Sequence, residues 1–400
     1  MTTPISQVKV AIIHEWLEHY AGSERVVAEL LKIFPQAEIF AVVDFLPPEE
    51  RGFLGGRKVT TTFVQKLPFA RKYFRNYLGL MPIAVEQFDL AKFDLIVSSH
   101  HAVAKGIITG PDQFHICYVH SPMRYAWDMQ AAYLRQSGLE RGLKGMFVRW
   151  MLHRIRTWDV RAASGVDVFV ANSSYIARRI RKVYRRDALV IHPPVEIERF
   201  QVAETKRSSY IVAARQVPYK RVDLVVEAFR KMPQHRLMVV GGGPDHDKIV
   251  ELAAASPNIT VKGKVPHDEL LALMQGAKAF VFAAEEDFGI ALVEAQACGT
   301  PLIAFGRGGA LDIVRPEGDP KGCTGVLFDT QDADAIVAAV QRFEAIGASI
   351  TSENCRRNAL RFSEEAFRQH VTELVEGLLD QGLPTPRMSD PLTSMTIEAE

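Results

Sequence analysis

Arg215 and Lys220 stand five residues apart just past an apolar run, in SYIVAARQVPYKRVD. Two cations at that spacing, beyond the carboxyl end of a strand, can both reach one diphosphate and neutralise it without a metal. The structural alternative is a solvated loop with surface ion pairs. A second group lies in AEEDFGIALVEAQACGTP (284–301), where Glu286 follows the run AFVFAA and Glu294 lies eight residues on, inside the next helical stretch. Between them Phe288, Gly289 and Ile290 open that stretch. Their N–H groups and the positive end of the helix dipole form a place for an anion. A diphosphate suits that terminus, with Glu294 on a ribose and Glu286 on a sugar. Acidic residues near a helix N-terminus are also common as plain stabilisers. Here the spacing, the glycine and the preceding strand agree on the functional reading.

Weaker signals surround these two. Gly308 and Gly309 in PLIAFGRGGALDIV let backbone approach phosphate or sugar, whereas GGGP (241–244) reads equally well as a turn. Gly22 and Ser23, in EWLEHYAGSERV, fall between the first strand and its helix, again a helix N-terminus. His120 closes a strand in YVHSPMRYAWD, and that position makes it a sugar contact although a lone histidine is usually structural. Asp245-His246-Asp247 has the form of a D-x-D metal motif but opens a helix, where Asp caps and complements the dipole. No required metal is expected. His100-His101 has no carboxylate or cysteine at ligand spacing and reads as an ordinary loop.

These residues need elements to hold them. VKVAII (8–13), EIFAVV (38–43), DLIVSS (94–99), HICYVH (115–120) and DVFVAN (167–172) read as buried strands, with helical stretches such as SERVVAELLKIF and SSYIARRIRKVY between them. SYIVAA (209–214), RLMVVGG (236–242), ITVKGKV (259–265), AFVFAA (279–284) and PLIAF (301–305) repeat the scheme. Continuous apolar strands alternating with helices predict parallel sheets covered on both faces, and two series predict two doubly wound α/β domains. Ligands then bind at the carboxyl ends of strands, and two facing sheets make the interdomain cleft the natural site. The expected domains are 1–200 and 207–361, joined by the Pro- and charge-rich 192–207. A capped helix at 362–380 follows, then a loose tail at 383–400.

Composition is ordinary for a globular chain of 400 residues, 48% hydrophobic and 24% charged, which excludes disordered, collagenous and disulfide-framework classes. Cys117, Cys298, Cys323 and Cys355 are scattered and read as reduced, buried thiols. No signal-peptide pattern and no run of eighteen apolar residues is present, so a cytoplasmic protein is expected. Residues 1–200 hold about 27 Lys and Arg against about 19 Asp and Glu, a basic half beside an acidic one. KLPFARKYFRNYLGL (66–80) and RGLKGMFVRWMLHRIRTWDVR (141–161) interleave Arg and Lys with aromatic and aliphatic residues. Helices of that kind can lie on an anionic bilayer, although one core face and one basic solvated face is the commoner meaning. No nucleic-acid module accompanies the charge.

ARQVPYKRVDLVVEAF and EEDFGIALVEAQACGTPLIAFGRGGALDIV resemble the signature regions of the retaining GT-B glycosyltransferases of family 4, with Glu286 and Glu294 matching that family's E-x7-E motif. The resemblance runs from AGSERV to FSEEAF. The stretch HAVAKGI…HICYVHSPMRYAWD is most similar to bacterial mannosyltransferases of O-antigen and exopolysaccharide assembly. The resemblance implies two Rossmann-like domains facing a cleft, with the terminal helix crossing back onto the first. It implies Arg215 and Lys220 on the leaving diphosphate, Glu286 and His120 on the donor sugar, and Glu294 on the ribose. Gly22, Val265, Phe288, Gly289 and Ile290 join the nucleotide-sugar contacts. The implied donor is GDP-mannose, with UDP-glucose or UDP-N-acetylglucosamine as the alternative. The implied acceptor is a lipid-linked saccharide, and no cofactor is required. A sugar-nucleotide epimerase or a non-catalytic nucleotide-sugar-binding protein are the readings from other classes.

Overall fold

The computed structural model describes residues 4–203 and 208–380. Seven strands, β1 (Val10–Leu17), β2 (Glu38–Asp44), β3 (Val59–Thr61), β4 (Leu95–His100), β5 (Phe114–Val119), β6 (Val168–Ala171) and β7 (Leu189–Val190), pair in the order β3-β2-β1-β4-β5-β6-β7. Six more, β8 (Ser209–Ala213), β9 (Arg236–Val240), β10 (Ile259–Gly263), β11 (Phe280–Phe282), β12 (Leu302–Phe305) and β13 (Gly325–Phe328), pair in the order β10-β9-β8-β11-β12-β13. Pairings such as Ile12↔Ile39, Ile12↔Val97 and Val281↔Ile303 are all parallel. Each sheet runs outward from its first strand in one direction and then reverses, the doubly wound order with a topological switch point beside that strand. The strand–helix alternation read from the sequence is therefore present twice.

Period-2 alternation explains why these strands are apolar throughout. In the six-stranded sheet Tyr210, Val212 and Val281 pack into a core with Val225, Phe229 and Ile336. Their neighbours Ile211, Phe280 and Phe282 pack into another with Leu292, Val293 and Ile313. Chain compactness divides the molecule into two units. One takes in the described residues up to Tyr118, Met123–Phe169 and those from His370 on; the other takes in Val119–Pro122 and Val170–Gln369. His120 thus falls in the same unit as Arg215 and Glu286.

Several local expectations change. β3, β7 and β13 carry no strand signal, being two to four residues long. The stretch 66–80 is not one helix. Phe69 sits at φ 54, followed by a single helical turn Ala70–Tyr73 and a 3-10 turn Phe74–Tyr77. Pro68 ahead and Gly79 behind keep it from propagating. In the expected linker, Val195, Ile197 and Phe200 are buried in the second unit's core, and the Arg356 guanidinium donates to the Ile197, Phe200 and Ala297 carbonyls. Residues 204–207 of that linker and the expected tail lie outside the described residues. The terminal helix Glu364–Asp380 is capped by Ser363, whose Oγ accepts from the Ala366 N–H at 3.1 Å.

Candidate active site

β8 and β11 are the two strands that flank the switch point of the six-stranded sheet. Arg215 and Lys220 follow β8, with Arg215 exposed and Lys220 half-buried. The loop between them is set by backbone. Gln216 N–H donates to the Gly242 carbonyl at 3.0 Å, and the Gln216 carbonyl accepts from Asp245 N–H at 3.1 Å. The glycine run 241–243 is thus a partner of the cation loop. Asp245 stands at the N-cap of His246–Ala253 but its side chain makes no cap bond; instead His246 Nδ1 pairs with Gln216 Oε1 at 2.8 Å. The capping expectation holds for its position and fails for its hydrogen bond.

Glu286 follows β11, half-buried, and its carboxylate forms an ion pair with the Lys220 ammonium. Two residues taken from separate stretches of sequence therefore meet. Gly289 is the N-cap of the helix Ile290–Ala297 at φ 99, a left-handed conformation that strains any side chain. Phe288 is buried with its ring 5.5 Å from that of Phe362. Ile290 starts the helix and Glu294, one turn on, is half-buried. Val265 lies just past β10, half-buried against the same core as Phe288. Gly309 closes the site from the β12 side, where its N–H donates to the Glu286 carbonyl at 2.9 Å and a Cβ would overlap the Phe288 carbonyl.

His120 follows β5 and is half-buried. Its carbonyl accepts from Asn172 Nδ2 at 2.9 Å, and the Asn172 carbonyl accepts from His192 Nδ1 at 3.1 Å. The His192 ring stacks on Phe288 at 5.5 Å. Sequence reasoning missed Asn172 and His192; only their place at strand ends hinted at them.

In the other unit Gly22 opens the helix Gly22–Ile33, as its sequence position predicts. The surroundings are more polar than that position foretells. Glu24 accepts from Ala21 N–H at 3.1 Å and contacts His14 Nε2 at 3.2 Å, while His14 Nδ1 pairs with Ser99 Oγ at 3.1 Å. His100 is no ordinary loop residue: it ends β4, is fully buried and lies 3.2 Å from Glu15. Glu15 also accepts from the backbone N–H groups of His101, Ala102, Val103 and Ala104. Burial alone would raise its carboxyl, but the His100 bond, nearby imidazoles and these N–H donors hold it well below the usual range. Charged letters inside the apolar run VAIIHEWL were the available signal. Among the described residues no group of three or more His, Cys, Asp or Glu is arranged to hold a metal ion.

Comparison with known proteins bears on this geometry. A model described as Glycosyltransferase Family 4 matches residues 20–199, and one described as Glycosyl transferases group 1 matches residues 195–362. The fold is that of the GT-B glycosyltransferases, and the two matches follow one another along the chain. Its likeness to solved GT-B structures is one of fold. Sucrose-phosphate synthase of Thermosynechococcus elongatus superposes with TM-score 0.67 at 18% identity, over 93% of this chain and 100% of that one. The Anabaena protein HepE in complex with UDP gives TM-score 0.65 at 15% identity, over 92% and 100%. In sequence, a GDP-mannose-dependent alpha-(1-6)-phosphatidylinositol monomannoside mannosyltransferase of Mycolicibacterium smegmatis is 30% identical over 226 residues. That match covers 49% of this chain and 58% of the relative, so the chain spans little more than half of that relative's length.

Proposed function

We propose that this GT-B protein is a retaining glycosyltransferase that moves mannose from GDP-mannose to a lipid-linked saccharide acceptor in surface-polysaccharide assembly. The observation that carries the transfer reading is the meeting of Lys220 and Glu286 at the β8/β11 switch point, beside Arg215 and the Gly289-opened helix. Cations there stabilise the charge that develops on a leaving nucleoside diphosphate. In the transfer the bond from the sugar's anomeric carbon to the diphosphate breaks, an acceptor hydroxyl oxygen bonds that carbon on the same face, and its proton passes to a leaving phosphate oxygen. Lys220 exchanges its contact with Glu286 for the phosphate. Glu286 then holds the sugar and acts electrostatically. His120 and Gly22 take the sugar and phosphate contacts that the family resemblance implies, and Glu294 the ribose. The donor set needs no metal in this reading, because Arg215 and Lys220 supply the positive charge. The mannose assignment leans on the resemblance and on the name of the mycobacterial relative.

The acceptor side suggests a cytoplasmic protein that works at an anionic membrane surface. Among the described residues no helix is long and apolar enough to cross a membrane. The helix Gly142–Ala162 does expose Leu143, Met146, Phe147 and Trp150 at 83, 65, 62 and 59%. Their i, i+3, i+4, i+7 spacing puts them on one face, flanked by Arg141, Lys144 and Arg149.

Calorimetric titration with GDP, UDP, GDP-mannose and UDP-glucose, followed by donor-turnover assays, tests the reading. Preferential binding and turnover of the guanine pair is the expected result. Uridine preference would keep the chemistry and overturn the donor; no binding of any would overturn the enzyme reading.

A further inference from the structure

Arg179 lies on the helix Ser174–Tyr184, between Asn172 and His192 in the chain, and its Nη1 donates at 3.2 Å both to Ser121 Oγ and to Asp287 Oδ1. The Arg179 and Asp287 side chains are only 11% and 14% exposed, so this is a largely desolvated charge pair. Ser121 follows His120, and Asp287 follows Glu286. The same guanidinium therefore grips the neighbour of each of the two residues assigned to the donor sugar.

Other contacts fix the two partners in place. The Ser121 hydroxyl donates to the Pro122 carbonyl at 2.9 Å, which leaves its lone pairs for Arg179. Ser173, the N-cap of the Arg179 helix, accepts from Ile176 N–H and donates from its hydroxyl to the Asp287 carbonyl. Asn172 holds the His120 carbonyl, and His192 links Asn172 to the ring of Phe288. The segment 119–122 and the loop 286–288 are thus joined ionically through Arg179 and also through Asn172 with Ser173 and His192. All of these residues belong to one compact unit.

We propose that Arg179 and Asp287 form a positioning clasp that sets the spacing between His120 and Glu286. The proposal rests on the reading that those two residues contact the donor sugar. Neither clasp residue touches substrate. The guanidinium suits the task because it is planar, permanently charged and able to donate to two acceptors at once, which Lys cannot reproduce with the same geometry. Its effect falls on the reacting sugar and spares the nucleotide, because Arg215 and Lys220 hold the diphosphate from another loop. Misplacing a reacting group by about 1 Å costs on the order of a hundredfold in rate.

The test compares Arg179→Gln and Asp287→Asn with the parent in hydrogen exchange and in kinetics. In either variant, peptides over 119–122 and 285–289 are expected to exchange faster together while the rest of the unit keeps its protection. GDP affinity stays within about twofold, and kcat for transfer falls roughly tenfold to a hundredfold. Unchanged protection over 119–122 in both variants overturns the clasp, as does loosening spread evenly through the unit. If Arg179→Gln does not fold, Asp287→Asn, which keeps the shape and removes the charge, decides alone. A parent that transfers no sugar from any donor defeats the functional reading, while the exchange measurement still judges the clasp. With an active parent, a kcat unchanged in the variants refutes the positioning role.

Discussion

At the scale of single residues, the ion pair of Lys220 with Glu286 makes different demands on its two members. Glu286 is assigned to the sugar and Lys220 to the diphosphate. Replacing Glu286 by Gln should therefore lower kcat by roughly a hundredfold and leave GDP affinity within about threefold, since the lost interaction acts on the reacting sugar. Equal turnover in variant and parent would remove Glu286 from the site. Lys220→Ala deletes a charge-assisted contact with the leaving group, worth about 2 kcal/mol in binding. Calorimetry should show GDP bound some thirtyfold more weakly, by that estimate, and transfer should slow as well. Undiminished GDP binding would mean that the ammonium points elsewhere. Gly309 acts differently: its lack of a side chain lets its N–H reach the Glu286 carbonyl and keeps the loop in register.

Among the elements, the helix Gly142–Ala162 has two unlike faces. Gly145, Leu152, Ile155 and Asp159 are buried, and Asp159 pairs with the buried Lys105 ammonium and accepts from Trp127 Nε1. The opposite face carries the exposed row from Leu143 to Trp150, with the Phe147 and Trp150 rings 5.9 Å apart. Gly79 packs on Met151 of the same helix, and Leu80 beside it is exposed. A surface of rings and aliphatics rimmed by cations suits a headgroup layer, where each nearby Lys or Arg adds about 1 kcal/mol on an anionic bilayer. Co-sedimentation should find the protein on phosphatidylglycerol vesicles, less on phosphatidylcholine, and released by salt. Trp150→Glu should weaken that binding without changing GDP affinity. Equal partition of parent and variant would show that this face does not meet the bilayer.

Across the whole molecule, stability should depend on pH through its buried histidines. His115 is fully buried, and Gly165 supplies a carbonyl 3.2 Å from Nδ1, so Nδ1 donates there and Nε2 accepts from the Ser98 hydroxyl at 2.7 Å. Burial pushes this imidazole down from 6.5 to about 4, against a smaller opposing effect of the Gly165 bond. A lowered folded-state value means that the unfolded chain binds the extra proton first. Its contribution is full above pH 6.5 and is lost as pH falls toward 4. Glu15, whose carboxyl is held low, adds to the loss only below its ordinary value of 4.5. Urea unfolding at pH 7 and pH 4.5 should show a less stable parent at the lower pH. His115→Gln should flatten that dependence, and an unflattened curve would place the titration elsewhere.

How much of this could be read from sequence divides along a physical line. Local order was legible: apolar strands of five or six residues, helices that follow them, Gly289 before a helix and cations just after a strand all follow from periodicity and backbone preference. The doubly wound class came from that alternation, and motif spacing singled out Lys220 and Glu286, which the fold brings together. Contacts between distant residues were not legible. Arg179 meets Asp287 across 108 positions, Lys105 meets Asp159 across 54, and Glu15 gathers N–H groups from 86 to 89 residues on. Nothing in local pattern distinguishes those charged letters from solvated ones. Strand order brings them together, and burial then makes each pairing obligatory, because a charge removed from water without a partner would unfold the site it occupies.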